Sequence, residues 1–203
     1  MSALHSSKLS RKYSFVIIGL FVVSLLPLRG QKVAVKTNLL VDATTTFNLG
    51  VELALHPKWT LDISGSYNPW TFRDNRKWQH WLVQPEARYW FCQKMSGHFL
   101  GFHVEGGAFN IGNLNVNMKL LGTDFRRLKD KRYEGWLAGG GIGYGYSWMV
   151  SRHWNIEAEL GVGYHFVKYD AYQCAHCGSK LERKATHHYF GPTKAAINLI
   201  YNF

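Results

Sequence analysis

The stretch Trp154-Asn155-Ile156-Glu157-Ala158-Glu159-Leu160-Gly161-Val162-Gly163-Tyr164-His165-Phe166 decides the fold of this 203-residue chain. Apolar or aromatic side chains hold every even position, and Asn, Glu, Gly or His every odd one. Successive side chains of a strand point to opposite faces, so a period of two describes a strand with one greasy wall and one polar wall. Upstream, Trp136, Ala138, Ile142, Tyr144, Tyr146 and Trp148 oppose Gly139, Gly141, Gly143, Gly145 and Ser147. Downstream, Ile197, Leu199, Tyr201 and Phe203 oppose Lys194, Ala196, Asn198 and Asn202.

Five further segments carry the alternation less fully, near 33–41, 47–55, 59–67, 81–91 and 98–109. With the three long ones they make eight strands. Tight connections are expected at His56-Pro57-Lys58, Gln93-Lys94-Met95-Ser96 and Ser151-Arg152-His153. Longer polar ones are expected at 68–80, 110–132 and 168–189, with a short one at 42–46. Short turns alternating with long loops are the habit of small outer-membrane barrels. The expected fold class is therefore all-β, an eight-stranded antiparallel up-and-down transmembrane β-barrel.

A soluble lipocalin-like barrel would turn its rings inward. Eight strands, however, enclose room only for side chains or one small ligand. The glycine-bearing face is the small one and suits the crowded interior; the bulky face then meets lipid. Trp59, Phe99 and Trp154 each follow a tight turn, where an inner aromatic girdle is expected. Phe203, with apolar residues two and four positions before it, is a suitable terminus for barrel assembly.

Residues 1–30 read as a signal peptide and residues 31–203 as the barrel. Lys8, Arg11 and Lys12 precede the apolar run 13–26, Pro27 breaks it, and Gly30 offers a small residue for cleavage. The run falls short of the about 20 apolar residues of a spanning helix. Removing Lys8, Arg11, Lys12 and Arg29 takes the formal charge from +11 to +7. No later run is long enough for a helical membrane protein. The expected location is the outer membrane of a Gram-negative bacterium.

Several stretches carry a resemblance: Lys36-Thr37-Asn38-Leu39-Leu40, Asp42-Ala43-Thr44-Thr45-Thr46, Asn48-Leu49-Gly50-Val51-Glu52, 80–90, Tyr133-Glu134-Gly135-Trp136 and Phe190-Gly191-Pro192-Thr193-Lys194. They resemble an uncharacterised family of Bacteroidetes-type outer-membrane barrels, domain of unknown function 3575. The resemblance implies an outer-membrane barrel and no established activity.

Six of the thirteen acidic residues fall on the lumen face: Glu52, Asp62, Glu86, Glu105, Glu157 and Glu159. Lys36, Arg88, Lys194, His103 and His165 share it. Buried charges must be paired, because an unpaired one costs several kcal/mol, so a salt-bridge network filling the barrel is expected. A proton path, or acid/base chemistry by His103 and Glu105, is the sharper alternative.

Cys174-Ala175-His176-Cys177-Gly178 falls in the last loop. An exported Cys-x-x-Cys favours a local disulfide or a free dithiol. Zinc held by Cys174, Cys177, His176, His187 and His188 is one alternative; redox catalysis is another, without the thioredoxin-like context it needs, and no other cofactor is expected. Cys92 has no evident partner.

Basic residues gather in three loops: Arg73, Arg76 and Lys77; Arg126, Arg127, Lys129, Lys131 and Arg132; Lys180, Arg183 and Lys184. They suit solvated loop tips or anionic partners, here membrane lipids, lipopolysaccharide phosphates or a surface protein. Trp70, Phe72 and Trp78 among them suit stacking on sugars. Nucleic acid is not an expected partner, and Gly139-Gly140-Gly141-Ile142-Gly143 lies within a strand rather than in a phosphate-cradling loop. The expected role is non-enzymatic, a membrane scaffold acting through its loops. A lipid A deacylase- or acyltransferase-like enzyme and a small-solute pore are the alternatives. His80, His98 and His153 sit near strand ends, as the enzyme would require, without an evident serine and carboxylate.

Overall fold

The computed structural model describes residues 33–73, 76–114, 119–120, 123–124, 129, 131–173 and 179–203. Alternating side chains build β1 (Val33–Asn38), β2 (Phe47–His56), β3 (Trp59–Asn68), β4 (Lys77–Trp90) and β5 (Gly97–Gly112). After a two-residue pair, β6 (Lys119–Leu120) with β7 (Thr123–Asp124), come β8 (Arg132–Met149), β9 (Trp154–Tyr172) and β10 (Lys180–Asn202). The eight long strands close a ring in the order β1-β10-β9-β8-β5-β4-β3-β2, every neighbour antiparallel. The expected fold class, an eight-stranded up-and-down barrel, is what the chain adopts.

The register shows how the ring closes. One inward row runs Ala34, Glu52, Asp62, Glu86, His103, Gly141, Gly163 and Gly191. Ala34 itself pairs with Asn202 of β10, so a circuit of the wall ends 202 − 191 = 11 residues from its start. One of these is absorbed by the bulge between Pro192 and Lys194. Such a stagger requires tilted strands, and tilt carries one row of side chains past several levels of the interior.

Four expectations change. The first strand stops at Asn38 rather than 41, because the Asn38 side chain accepts the Leu40 N–H at 3.1 Å and caps a single helical turn, α1 (Leu39–Asp42). The last loop is far shorter than 168–189, since β9 and β10 pair out to Tyr172–Lys180. Lys180 Nζ donates to Asp170 at 2.6 Å and the Lys184 N–H at 2.7 Å. The bond from Lys180 holds the Asp170 carboxyl below its ordinary range, and the bond to Asp170 raises Lys180 in turn. The loop expected at 68–80 likewise narrows, because β4 begins at Lys77. Finally, Phe99 is not in a girdle but fully buried inside the barrel. Its odd number places it with Gly101 and His103, on the inward face.

The interior is layered. At the end holding the tight turns, Ala34, Ala54, Met95 and Ile200 form an apolar plug. Met95 reaches it by a left-handed backbone (φ 61°), and its carbonyl accepts from Asn155 Nδ2 at 2.7 Å. Above lie Trp90 and Phe99, ring centroids 4.7 Å apart, and above those the charged groups. Outside, Trp59 with Tyr89 and Trp154 with Tyr201 pair at 5.2 and 5.1 Å around the same end.

Candidate functional site

The central group is Arg88 on β4, 0 % exposed. Its Nε donates to Glu86 Oε1 at 2.5 Å. Nη1 donates to Glu52 Oε2 at 3.0 Å and to both Glu157 oxygens at 3.0 and 3.1 Å. Nη2 donates to Glu159 Oε2 at 2.8 Å and lies 3.3 Å from Asp62 Oδ2. One planar guanidinium, with its five N–H donors, thus ties β2, β3 and β9 to β4 across the lumen. The Phe99 ring lies under it, 4.6 Å from Cζ.

Two lysines flank the arginine. Lys36 Nζ donates to Glu52 and stands 3.4 Å from Asp62 Oδ2. Lys194 Nζ donates to Glu86 Oε2 at 2.5 Å and stands 3.0 Å from Glu159 Oε2. Neutral donors complete the set: Thr60 Oγ1 to Glu52 at 2.5 Å and Asn198 Nδ2 to Glu157 at 2.8 Å. Trp90 Nε1 supports Thr60 from below at 2.9 Å.

Two smaller groups lie further out. Glu105 bonds His165 and accepts from Gln84 Nε2 at 3.1 Å. His103 Nε2 bonds Thr193 Oγ1 at 2.8 Å, while its Nδ1 stands 3.7 Å from Glu86. The structure therefore brings nine of the eleven lumen candidates into one chain of contacts, His103 joining through Glu86, while Glu105 and His165 form a pair of their own beside Gln84. Five carboxylic groups, Glu52, Asp62, Glu86, Glu157 and Glu159, meet three permanent cations.

The space for these long side chains comes from glycine. Arg88 and Lys194 share a row with Gly101, Gly143 and Gly161 between them. A Cβ at Gly101 would lie 2.7 Å from Glu86 Cδ, and one at Gly143 2.6 Å from Glu159 Oε1. Gly143→Val is therefore expected to cost about 1–3 kcal/mol by overpacking, read as a lower urea midpoint of the refolded barrel. Gly106→Ala, whose Cβ meets nothing nearer than a carbonyl at 4.0 Å, should leave the midpoint unchanged. Equal midpoints for both variants would show that the interior is not tightly filled.

The remaining candidates separate. Cys174, His176, Cys177, Arg126 and Arg127 lie outside the described residues. His187 and His188 are consecutive on β10, so they face opposite sides of the wall and cannot both face one ion. His188 bonds Tyr164 on the outside. Arg132 is no loop tip: it begins β8 and stacks 4.0 Å over the Tyr172 ring. Lys129 and Lys131 remain outside the long strands. Cys92 is exposed and free.

The family profile described as protein of unknown function, DUF3575, matches residues 15–203. The chain belongs to this family. No curated protein and no solved structure matches the DUF3575 chain.

Sequence reading missed the outer rim of this DUF3575 barrel. Asp42, Thr45, Thr46, Phe47, Trp70 and Phe72 line a groove of about 470 Å³ there. Trp70 Nε1 donates to the Thr45 carbonyl at 3.0 Å, and Thr45 holds a left-handed backbone (φ 58°). Only the helical turn after β1 brings Asp42 and Thr45 under Trp70.

Proposed function

We propose that this DUF3575 protein is an outer-membrane barrel of a Gram-negative bacterium, exported by residues 1–30. In this reading it acts without catalysis, as a membrane scaffold whose basic and aromatic outer loops contact lipopolysaccharide or a surface protein. The observation that carries the reading is the outer wall. Phe47, Leu49, Ile63, Val83, Phe102, Val104, Ile142, Tyr144, Leu160, Val162 and Phe190 are all exposed on it. Soluble monomers rarely expose a contiguous apolar patch beyond a few hundred Å². A closed barrel satisfies its backbone bonds within the wall and so suits hydrocarbon.

Leu160 tests the reading. It is 73 % exposed and lies six residues beyond Trp154, near mid-wall. At an exposed site in water, Leu160→Arg changes stability by no more than about 0.5 kcal/mol. Facing mid-bilayer lipid it should cost about 2–4 kcal/mol. A urea titration of the barrel refolded in liposomes decides between them, and an unchanged midpoint rejects the membrane location.

The loop role is supported by the rim groove and by Lys129 and Lys131. Reversing the charges of Arg126, Arg127, Lys129 and Lys131 is expected to weaken binding to lipopolysaccharide or to whole cells. Unchanged binding to both would remove that role. The bridge made by Arg88 across the lumen favours a scaffold over a solute pore. The partners of the terminal histidines favour it over an enzyme: His98 bonds Tyr144 Oη at 2.6 Å, His153 stacks on Tyr201, and His80 meets the Trp78 carbonyl.

A further inference from the structure

Pro85 stands inside β4, where a proline has no N–H for a neighbouring strand. On the β3 side the ladder continues through it, with Ile63 opposite. On the β5 side the ladder passes from Val83–Gly106 to Glu86–His103 with no bridge between. Over this interruption lies a groove of about 500 Å³, lined by Trp81, Val83, Pro85, Val104, Gly106 and Trp136 among others. That volume falls in the range of about 300–1,000 Å³ typical of ligand sites.

The groove has a defined shape. Trp81 on β4 and Trp136 on β8 both pair with Ala108 of β5, two residues from Gly106 on the same face, and both line the groove. Gly106 on β5 is the floor, where an added Cβ would meet only the Leu137 carbonyl, at 4.0 Å. Lys168 pairs directly with Trp136. Paired residues share a face with Cβ atoms about 4.5–5.5 Å apart, so its ammonium rises beside the groove on the outer wall. A hydrocarbon trough beside one cation matches the two ends of an anionic amphiphile.

We propose that this groove holds one anionic membrane lipid, an acyl chain lying over Gly106 between Trp81 and Trp136, with its phosphate held by Lys168. The proposal rests on the membrane reading above. A lone apolar dent would take any chain; the adjacent lysine is what selects an anionic headgroup.

Native mass spectrometry of the refolded full barrel tests it, in detergent with equal phosphatidylglycerol and phosphatidylcholine. The native chain should retain one phosphatidylglycerol. Gly106→Phe, which fills the trough, should reduce retention about tenfold or more. Gly106→Leu repeats the test should phenylalanine impair folding, which gel migration without heating reports. Lys168→Gln should keep a lipid but lose the preference for phosphatidylglycerol.

A folded Gly106→Phe or Gly106→Leu barrel that retains lipid as the native one does would overturn the site, as would a native barrel that retains none. An unchanged preference in Lys168→Gln would overturn the headgroup assignment. A lipid-free native dimer that Gly106→Phe dissociates would give the groove to a second copy, against the proposal. None of these outcomes touches the membrane location, which stands or falls on Leu160→Arg.

Discussion

Replacing Arg88 by methionine is expected to destabilise the barrel by about 3–5 kcal/mol, the cost of removing one partner from a buried ionic cluster. The stem volume is largely kept, so the loss is electrostatic. Glu52, Asp62, Glu86, Glu157 and Glu159 would keep only Lys36 and Lys194 as nearby permanent cations, and Glu157 would keep only Asn198 among the donors described above. Arg88→Lys should fall between, because one ammonium has three donors and cannot reach five carboxylates. Adding Glu157→Gln to Arg88→Met should recover part of the loss by removing an unpaired charge, while the amide oxygen still accepts from Asn198. Urea titration followed by gel migration measures all four chains. An Arg88→Met barrel as stable as the native one would mean that the cluster contributes nothing to holding the strands together.

Trp90→Ala is expected to cost about as much, roughly 3–5 kcal/mol, by a different route. Trp90 is fully buried between the apolar plug and the charged layer. Deleting its ring leaves a cavity beneath Arg88, removes the stacking on Phe99, and takes away the N–H that fixes Thr60. Thr60 in turn donates to Glu52, so the cavity and the ion cluster are coupled. Trp90→Phe refills most of the space and loses mainly one hydrogen bond, about 1 kcal/mol. Unfolding followed by circular dichroism, which does not depend on the deleted fluorophore, should rank native, Phe and Ala in that order. Equal losses for Phe and Ala would place the whole effect in the hydrogen bond.

These two variants probe layers of the interior that differ in how readable they were. The charged layer was legible residue by residue. In a strand the parity of a position decides its side, so Glu157, Glu159 and His165 declare themselves inward by standing between Ile156, Leu160 and Phe166. The apolar layers below were not. Ile200 and Phe99 look like wall residues by chemistry, and only their parity assigns them inward; the rings of Trp90 and Phe99 meet because the ring of strands closes. At the other end, the outer parts of β9 and β10 lack the apolar alternation, because polar and charged residues such as Lys168, Asp170, Lys180, Glu182, Arg183 and Lys184 take both parities. They therefore read as loop although their backbones keep pairing.

From the amino-acid order alone came the strand count, the side of the wall taken by most residues, the tight turns and the set of lumen charges, all consequences of the two-residue period. What Arg88 binds, which glycines make room for Glu86 and Glu159, why His187 and His188 cannot share one ion, and the grooves at Trp70 and Gly106 were decided by the tertiary structure. The physical reason is register: contacts across a lumen, or between strands far apart in sequence, depend on stagger and closure. Those are properties of the whole ring of hydrogen bonds, and no local pattern encodes them.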